Sequence, residues 1–150
     1  MDKEFIFDII KFVATVALAI AGWVFAWRNF KRQMNANTVM KYAERYEKIM
    51  DSFPKEARGV RFNLDCELPP ESEETRLAAL KYLNLCSEEY YLCKEGYLAK
   101  NVWEIWEREL KRTLSSKLFK REWQMLKNEF ESDPDFTKFV DEVQSGTPTG

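Results

Sequence analysis

Residues 5 to 27 read FIFDIIKFVATVALAIAGWVFAW, and from Phe12 to Trp27 they carry no charge. Nothing else in the chain restricts its fold as much. As a helix rising about 1.5 Å per residue the segment measures roughly 35 Å, enough to cross a hydrocarbon core of about 30 Å with some tilt. A helix is also the form that satisfies every backbone amide within the segment itself. Trp23 and Trp27 sit near its C-terminal end, where indole rings favour headgroups. A cleaved signal peptide would need a basic start, a short apolar core and a small-residue cleavage site. Here Asp2, Lys3 and Glu4 make the start net acidic, and Trp23, Phe25 and Trp27 end the apolar core. The segment therefore reads as a retained transmembrane anchor.

Basic residues set its direction. Arg28, Lys31 and Arg32 follow the apolar run at once, whereas Lys3 alone precedes Asp8 and Lys11. The positive-inside rule then puts residues 1–4 outside, 5–27 across the bilayer and 28–143 in the cytoplasm, with 144–150 as a flexible tail. Three cysteines, Cys66, Cys86 and Cys93, suit a reducing compartment, because an odd count is a poor disulfide framework. At 100° per residue Asp8, Lys11, Thr15, Gly22 and Ala26 fall within one narrow arc. Polar and small residues on one helix face allow membrane helices to approach and bond. That arc is the expected self-association face, and a water-lined pore is a narrower version of the same idea.

Helical patterning dominates the remainder, and the expected fold class is all-α: a transmembrane helix continuing into a small cytoplasmic helical bundle. Val39, Tyr42, Ala43, Tyr46, Ile49 and Met50 form a stripe from Asn37 to Asp51. No Pro or Gly separates Trp27 from Phe53, so the anchor is expected to run on into this helix until Pro54 ends it. A short helix is expected over 54–64. Ser72 opens a helix over 73–95 that places Leu77, Leu80, Tyr82, Leu83, Leu85, Cys86, Tyr90 and Cys93 on its apolar face, with Gly96 as its stop. Asn101 is expected to cap a helix over 102–114 that carries Val102, Trp103, Ile105, Trp106 and Leu110. Ser115 or Ser116 opens the next, and Asp133-Pro134 starts a last helix over 136–143.

The chemistry suggested by composition is sparse. The chain has no histidine, which removes His-dependent triads and general bases. Cys86 and Cys93 are seven apart and form no CxxC pair, and no Walker, GxGxxG or GxSxG motif occurs. No catalytic residue, cofactor, metal ligand or small-molecule substrate is therefore expected. Residues after position 32 carry 18 basic and 22 acidic side chains, an acidic balance that does not suit nucleic acid. The basic run Arg108, Lys111, Arg112, Lys117, Lys120 and Arg121 reads as a solvated helix face. Carboxylates are abundant, and of these Glu88 or Glu89 is expected to face the bundle and pair with Arg58 or Arg61. Trp103, Trp106, Phe119, Trp123, Phe130 and Phe136 are expected to fill the core.

The segments LKYLNLCSEEYYL, KEGYLAKNVWEIWERELKR and FKREWQMLKNEFESDPDFTKFVDEV, downstream of the single span, carry a resemblance. They resemble a widespread group of small bacterial single-pass membrane proteins classed as a domain of unknown function. The shared pattern falls on Leu83, Asn84, Glu88, Tyr91, Gly96, Trp103, Trp106 and Phe136. It implies a bacterial inner-membrane location and a helical architecture, and supplies no activity. A more distant likeness is to the pore-forming membrane accessory proteins of RNA-targeting CRISPR systems, whose helical domain is related to HEPN nucleases. The Arg-x-x-x-x-His motif of those nucleases has no counterpart here, so an RNA-acting enzyme is not implied. Function is accordingly expected to be interaction or oligomerisation at the membrane, with a membrane-perturbing or pore-forming effector of anti-phage defence as the alternative. The expected partners are the lipid bilayer and either a second copy or another protein.

Overall fold

The computed structural model describes residues 3–60 and 67–146, with side chains described over 7–59 and 67–146. Cys66, positions 61–64 of the expected short helix and positions 147–150 of the expected tail lie outside the described residues. Six α-helices and one short 3₁₀ helix follow in order, with no strand among the described residues. They are α1 (Lys3–Asp51), α2 (Lys55–Val60), α3 (Glu73–Lys94), α4 (Lys100–Leu114), α5 (Lys117–Leu126), the 3₁₀ helix (Lys127–Phe130) and α6 (Pro134–Ser145). The all-α class is as expected, and α1 is continuous across the apolar segment and the Asn37–Asp51 stripe. The chain divides into two compact units, Met1–Met40 and Lys41–Gly150. The helices that follow α1 all lie in the second unit.

In the first unit α1 leaves its apolar side chains uncovered. Phe12, Leu18, Trp23 and Phe25 are 71%, 74%, 68% and 68% exposed. The helix is long and apolar enough to cross a membrane. Its single internal glycine, Gly22, does not break it, because one glycine costs only about 1 kcal/mol relative to alanine.

The second unit is bounded by local signals that each have a physical cause. At the end of α1, the Arg58 guanidinium donates to the carbonyls of Phe53 at 2.8 Å and Asp51 at 2.6 Å, serving acceptors that the helix terminus leaves open. The Ser72 hydroxyl accepts from the Thr75 amide at 3.1 Å and starts α3. Gly96, at φ 72°, ends it: the Tyr97 amide reaches Leu92 O and the Gly96 amide reaches Cys93 O, the paired bonds of a Schellman turn. Ser116 caps α5, and Asp133 caps α6 by accepting from the Phe136 amide at 3.1 Å, with Pro134 in the first turn.

Two boundaries differ from expectation. Helix α4 is capped by Ala99, so Asn101 lies inside its first turn. The buried Leu98, whose amide bonds to Leu92 O at 3.2 Å, pulls the chain into the core and starts the helix early. Helix α6 extends to Ser145, so Gln144 belongs to the fold and not to a tail. Its amide donates to Leu114 O and Phe119 O at 3.2 and 3.3 Å, fastening α6 to the α4–α5 corner.

The core gathers Phe53, Ala78, Ala79, Leu83, Cys86, Leu114, Leu118, Phe119, Trp123, Phe136 and Val140. Rings form its centre: Phe136 has the rings of Tyr90, Trp123, Phe130 and Phe139 between 5.5 and 6.4 Å away. Four of the six expected core aromatics are buried, whereas Trp103 and Trp106 are half-exposed. Leu77 and Ile105, assigned by spacing to apolar faces, are 50% and 57% exposed because those faces are wider than the surface the bundle offers. Truncating Phe136 to Ala should cost about 3–5 kcal/mol in chemical denaturation followed by circular dichroism, whereas the exposed Met125→Ala should change stability by less than about 0.5 kcal/mol.

Candidate functional site

The first candidate is the arc on α1. Lys11 and Asp8 stand 3.8 Å apart as an ion pair one turn from each other, both well exposed. The Lys11 ammonium also lies 4.4 Å from the centre of the Phe7 ring. The Thr15 hydroxyl donates to Lys11 O at 2.9 Å, so its polar atom is already served within the helix. At Gly22 nothing lies within 4 Å of where a Cβ would be, and Ala26 is exposed. The arc is thus an open, small-residue face flanked by bulky apolar side chains.

The same spacing continues beyond the five residues of the expected arc. Along the continuous helix, Thr15, Ala19, Gly22, Ala26, Asn29 and Gln33 recur in alternating steps of four and three. That is the seam spacing that keeps one stripe facing a partner helix. Its small residues admit close backbone approach, and its amides offer hydrogen bonds at the register positions. Asn29 and Gln33 lie after the apolar run and were missed for that reason; the seven-residue period was the available signal. At the same end of the apolar run Trp23 stacks on Trp27 with ring centres 6.3 Å apart. Lys31 lies 5.8 Å from the centre of the Trp27 ring, while Arg28 and Arg32 are exposed.

The second candidate lies in the helical unit. Arg45, near the end of α1, meets Glu88 of α3 through two hydrogen bonds, at 2.5 and 2.8 Å, in a bidentate clasp. The Tyr42 hydroxyl donates to the same carboxylate at 3.1 Å. The Glu88 carboxyl is consequently held below its usual value, chiefly by the Arg45 hydrogen bonds, and the Tyr42 phenol is raised, first by burial and then by Glu88. The pairing of Glu88 with Arg58 is not what the structure shows. Arg58 is committed to the end of α1, and Arg61 lies outside the described residues. The sequence pattern could not reveal Arg45 as the partner, because it stands 43 positions away on a helix whose rotation decides the contact.

Glu89, the next residue, behaves oppositely. Burial pushes its carboxyl up to about 8, with the Arg45 charge opposing the shift and the Glu88 charge adding to it. Two adjacent carboxyls are thus shifted in opposite directions. Cys86, one turn before, is fully buried, and its thiol is raised well above its ordinary value by burial and then by Glu89. It is therefore a poor thiolate.

A third polar group was not foreseen. Glu122 of α5 is 1% exposed. Its carboxylate accepts from Arg121 Nε at 2.9 Å, and Arg76 Nε of α3 lies 3.8 Å away. Arg121 also donates to Pro69 O at 2.6 Å, tying the segment before α3 to α5. Arg121 therefore leaves the solvated basic face on which its spacing had placed it. Exposed Lys117 and Lys120 remain on that face.

Among the described residues no group of three or more His, Cys, Asp or Glu side chains is arranged to hold a metal ion. No protein-family model, curated protein or solved structure matches the chain.

The Glu89 shift carries a pH signature. Because its folded value of about 8 lies above the ordinary 4.5, the folded state holds the extra proton between these limits. Stability should fall as pH rises through that window. Glu89→Gln, which mimics the neutral acid, should flatten this slope and stabilise the protein at pH 8; equal slopes in denaturation titrations of both proteins would contradict the assignment.

Proposed function

We propose that this chain is a single-pass membrane protein that works by association and not by catalysis. The N-terminus lies outside, the helical unit lies in the cytoplasm, and the membrane is the bacterial inner membrane. The observation that carries the reading is the exposure of the apolar half of α1. Twelve large apolar side chains between Phe7 and Trp27 are each at least 41% exposed. Leaving such a surface in water costs on the order of 1 kcal/mol per side chain, so the sum rivals the whole stability of a small domain, about 5–15 kcal/mol. A bilayer removes that cost, and the Arg28, Lys31 and Arg32 cluster favours the cytoplasmic side for the helical unit.

Within the bilayer, the seam of Thr15, Ala19, Gly22 and Ala26 is the face for a second copy. Small side chains there allow two backbones to pack closely, which is what drives helix pairing where lipid and leucine are equally apolar. The helical unit then presents paired surfaces at the membrane to a protein partner. The protein should stay in the pellet on alkaline carbonate extraction, and protease added outside spheroplasts should leave residues 41–146 intact. In-membrane crosslinking should capture a dimer or higher oligomer that Gly22→Leu reduces at least about threefold, because the larger side chain holds the two backbones apart. A carbonate-soluble or strictly monomeric protein would sink the reading.

A second reading rests on Asp8 and Lys11, which share the seam face as an ion pair. Charged groups on an interhelical face can line a watery passage, making the assembly a membrane-perturbing effector of the kind used in anti-phage defence. Dye-loaded vesicles carrying the protein should then leak, and Lys11→Leu should remove the leak; tight vesicles at high protein density would leave association alone.

A further inference from the structure

Between α3, α4 and α6 the helical unit holds a cavity of about 410 Å³, lined by Tyr90, Trp103 and Phe139 together with Glu107, Asp135, Lys138 and Glu142. The three rings form a closed triangle: Tyr90 lies 5.0 Å from Phe139 and 6.0 Å from Trp103, and Trp103 lies 6.3 Å from Phe139. Phe139 is buried, while Tyr90 and Trp103 are half-buried and keep ring surface at the cavity. Ring faces are electron-rich, so a floor of this kind favours a cation with apolar surface.

The carboxylates around the rings add to this preference. Glu107 holds Lys111 at 2.8 Å, Glu142 faces Lys138 at 3.8 Å, and Asp135 pairs with Lys94. The ammonium groups that balance these acids belong to side chains between 38% and 76% exposed, long and easily displaced. Of the side chains that line the cavity itself, three are acids and one, Lys138, is a base. The Tyr90 phenol is raised first by burial and next by Asp135, with Asp133 and Glu142 adding to the rise and Lys94 opposing it. A hydrated sodium ion gains little from such a floor. An alkylated ammonium or a guanidinium gains from both the rings and the acids, because its apolar surface gives up little hydration.

We propose that this aromatic-floored, carboxylate-rimmed cavity is a binding site for an organic cation, either a quaternary or alkyl ammonium or the guanidinium of an arginine. The site is independent of the α1 seam and of the membrane reading. Its test uses the full chain in a non-ionic detergent, titrated with tetramethylammonium chloride and, separately, with N-acetyl-arginine amide, against sodium chloride at matched ionic strength. Calorimetry and tryptophan fluorescence should show saturable binding of at least one organic cation and none of sodium. Trp103→Leu, and separately the Glu107→Gln/Glu142→Gln pair, should weaken it about five- to tenfold. The carboxamide pair preserves shape, so it reads the site even where Trp103→Leu disturbs folding. Tighter binding of the arginine amide would identify a partner's basic side chain as the ligand, and equal or weaker binding a small free cation. Absence of saturable binding, or affinities unmoved by the carboxamide pair, would overturn the proposal.

Discussion

The helical unit depends on one ring. Phe136 is fully buried and touches aromatic neighbours supplied by α3, α5, the 3₁₀ helix and α6. Helices this short do not hold their form alone in water and need a shared apolar surface to persist. The position of Phe136 is itself set locally. Asp133 caps its amide and Pro134 fixes the first turn, so the ring enters the core at a defined height. Trp123 completes the arrangement, placing its indole against Phe130 and Phe136 while its Nε1 donates to Asp141 at 2.9 Å. That bond lets a large ring be buried without stranding its polar atom.

Around this core, charge is handled in two ways. Exposed pairs such as Lys48–Glu44 follow helix spacing and contribute little, because water screens them. The cross-helix groups matter more, because removing one member leaves its partner unsatisfied in a poorly solvated place. Glu122 with Arg76 and Arg121 joins α3, α5 and the segment before α3. Glu88 with Arg45 and Tyr42 joins α3 to the end of α1. Both define how helices meet.

The apolar half of α1 follows a different logic. Its side chains have no cover within the chain, and they alternate with a regular file of small and polar residues. The period of that file matches helix pairing, and the same period continues past the apolar run through Asn29 and Gln33. This continuity is why the association reading rests on α1 as a whole.

Local structure was legible in the sequence wherever its cause lies within a turn or two. The Ser72 and Ser116 caps, the Asp133-Pro134 start, the Gly96 stop and the uninterrupted α1 all depend on neighbours a few positions apart. The apolar segment was legible for the same reason, since length and composition alone decide whether a helix can cross a bilayer. Tertiary structure decided which residues of separate helices face each other. Spacing could not foresee that Arg45 would clasp Glu88, that burial would raise the Glu89 carboxyl, or that Glu122 would be the buried one. Nor could it separate buried Phe136 from half-exposed Trp103, or start α4 at Ala99 in place of Asn101. Those outcomes depend on how each helix is rotated when it packs. That rotation is set by the sum of many contacts across the core, none of which is written in any single stretch of chain.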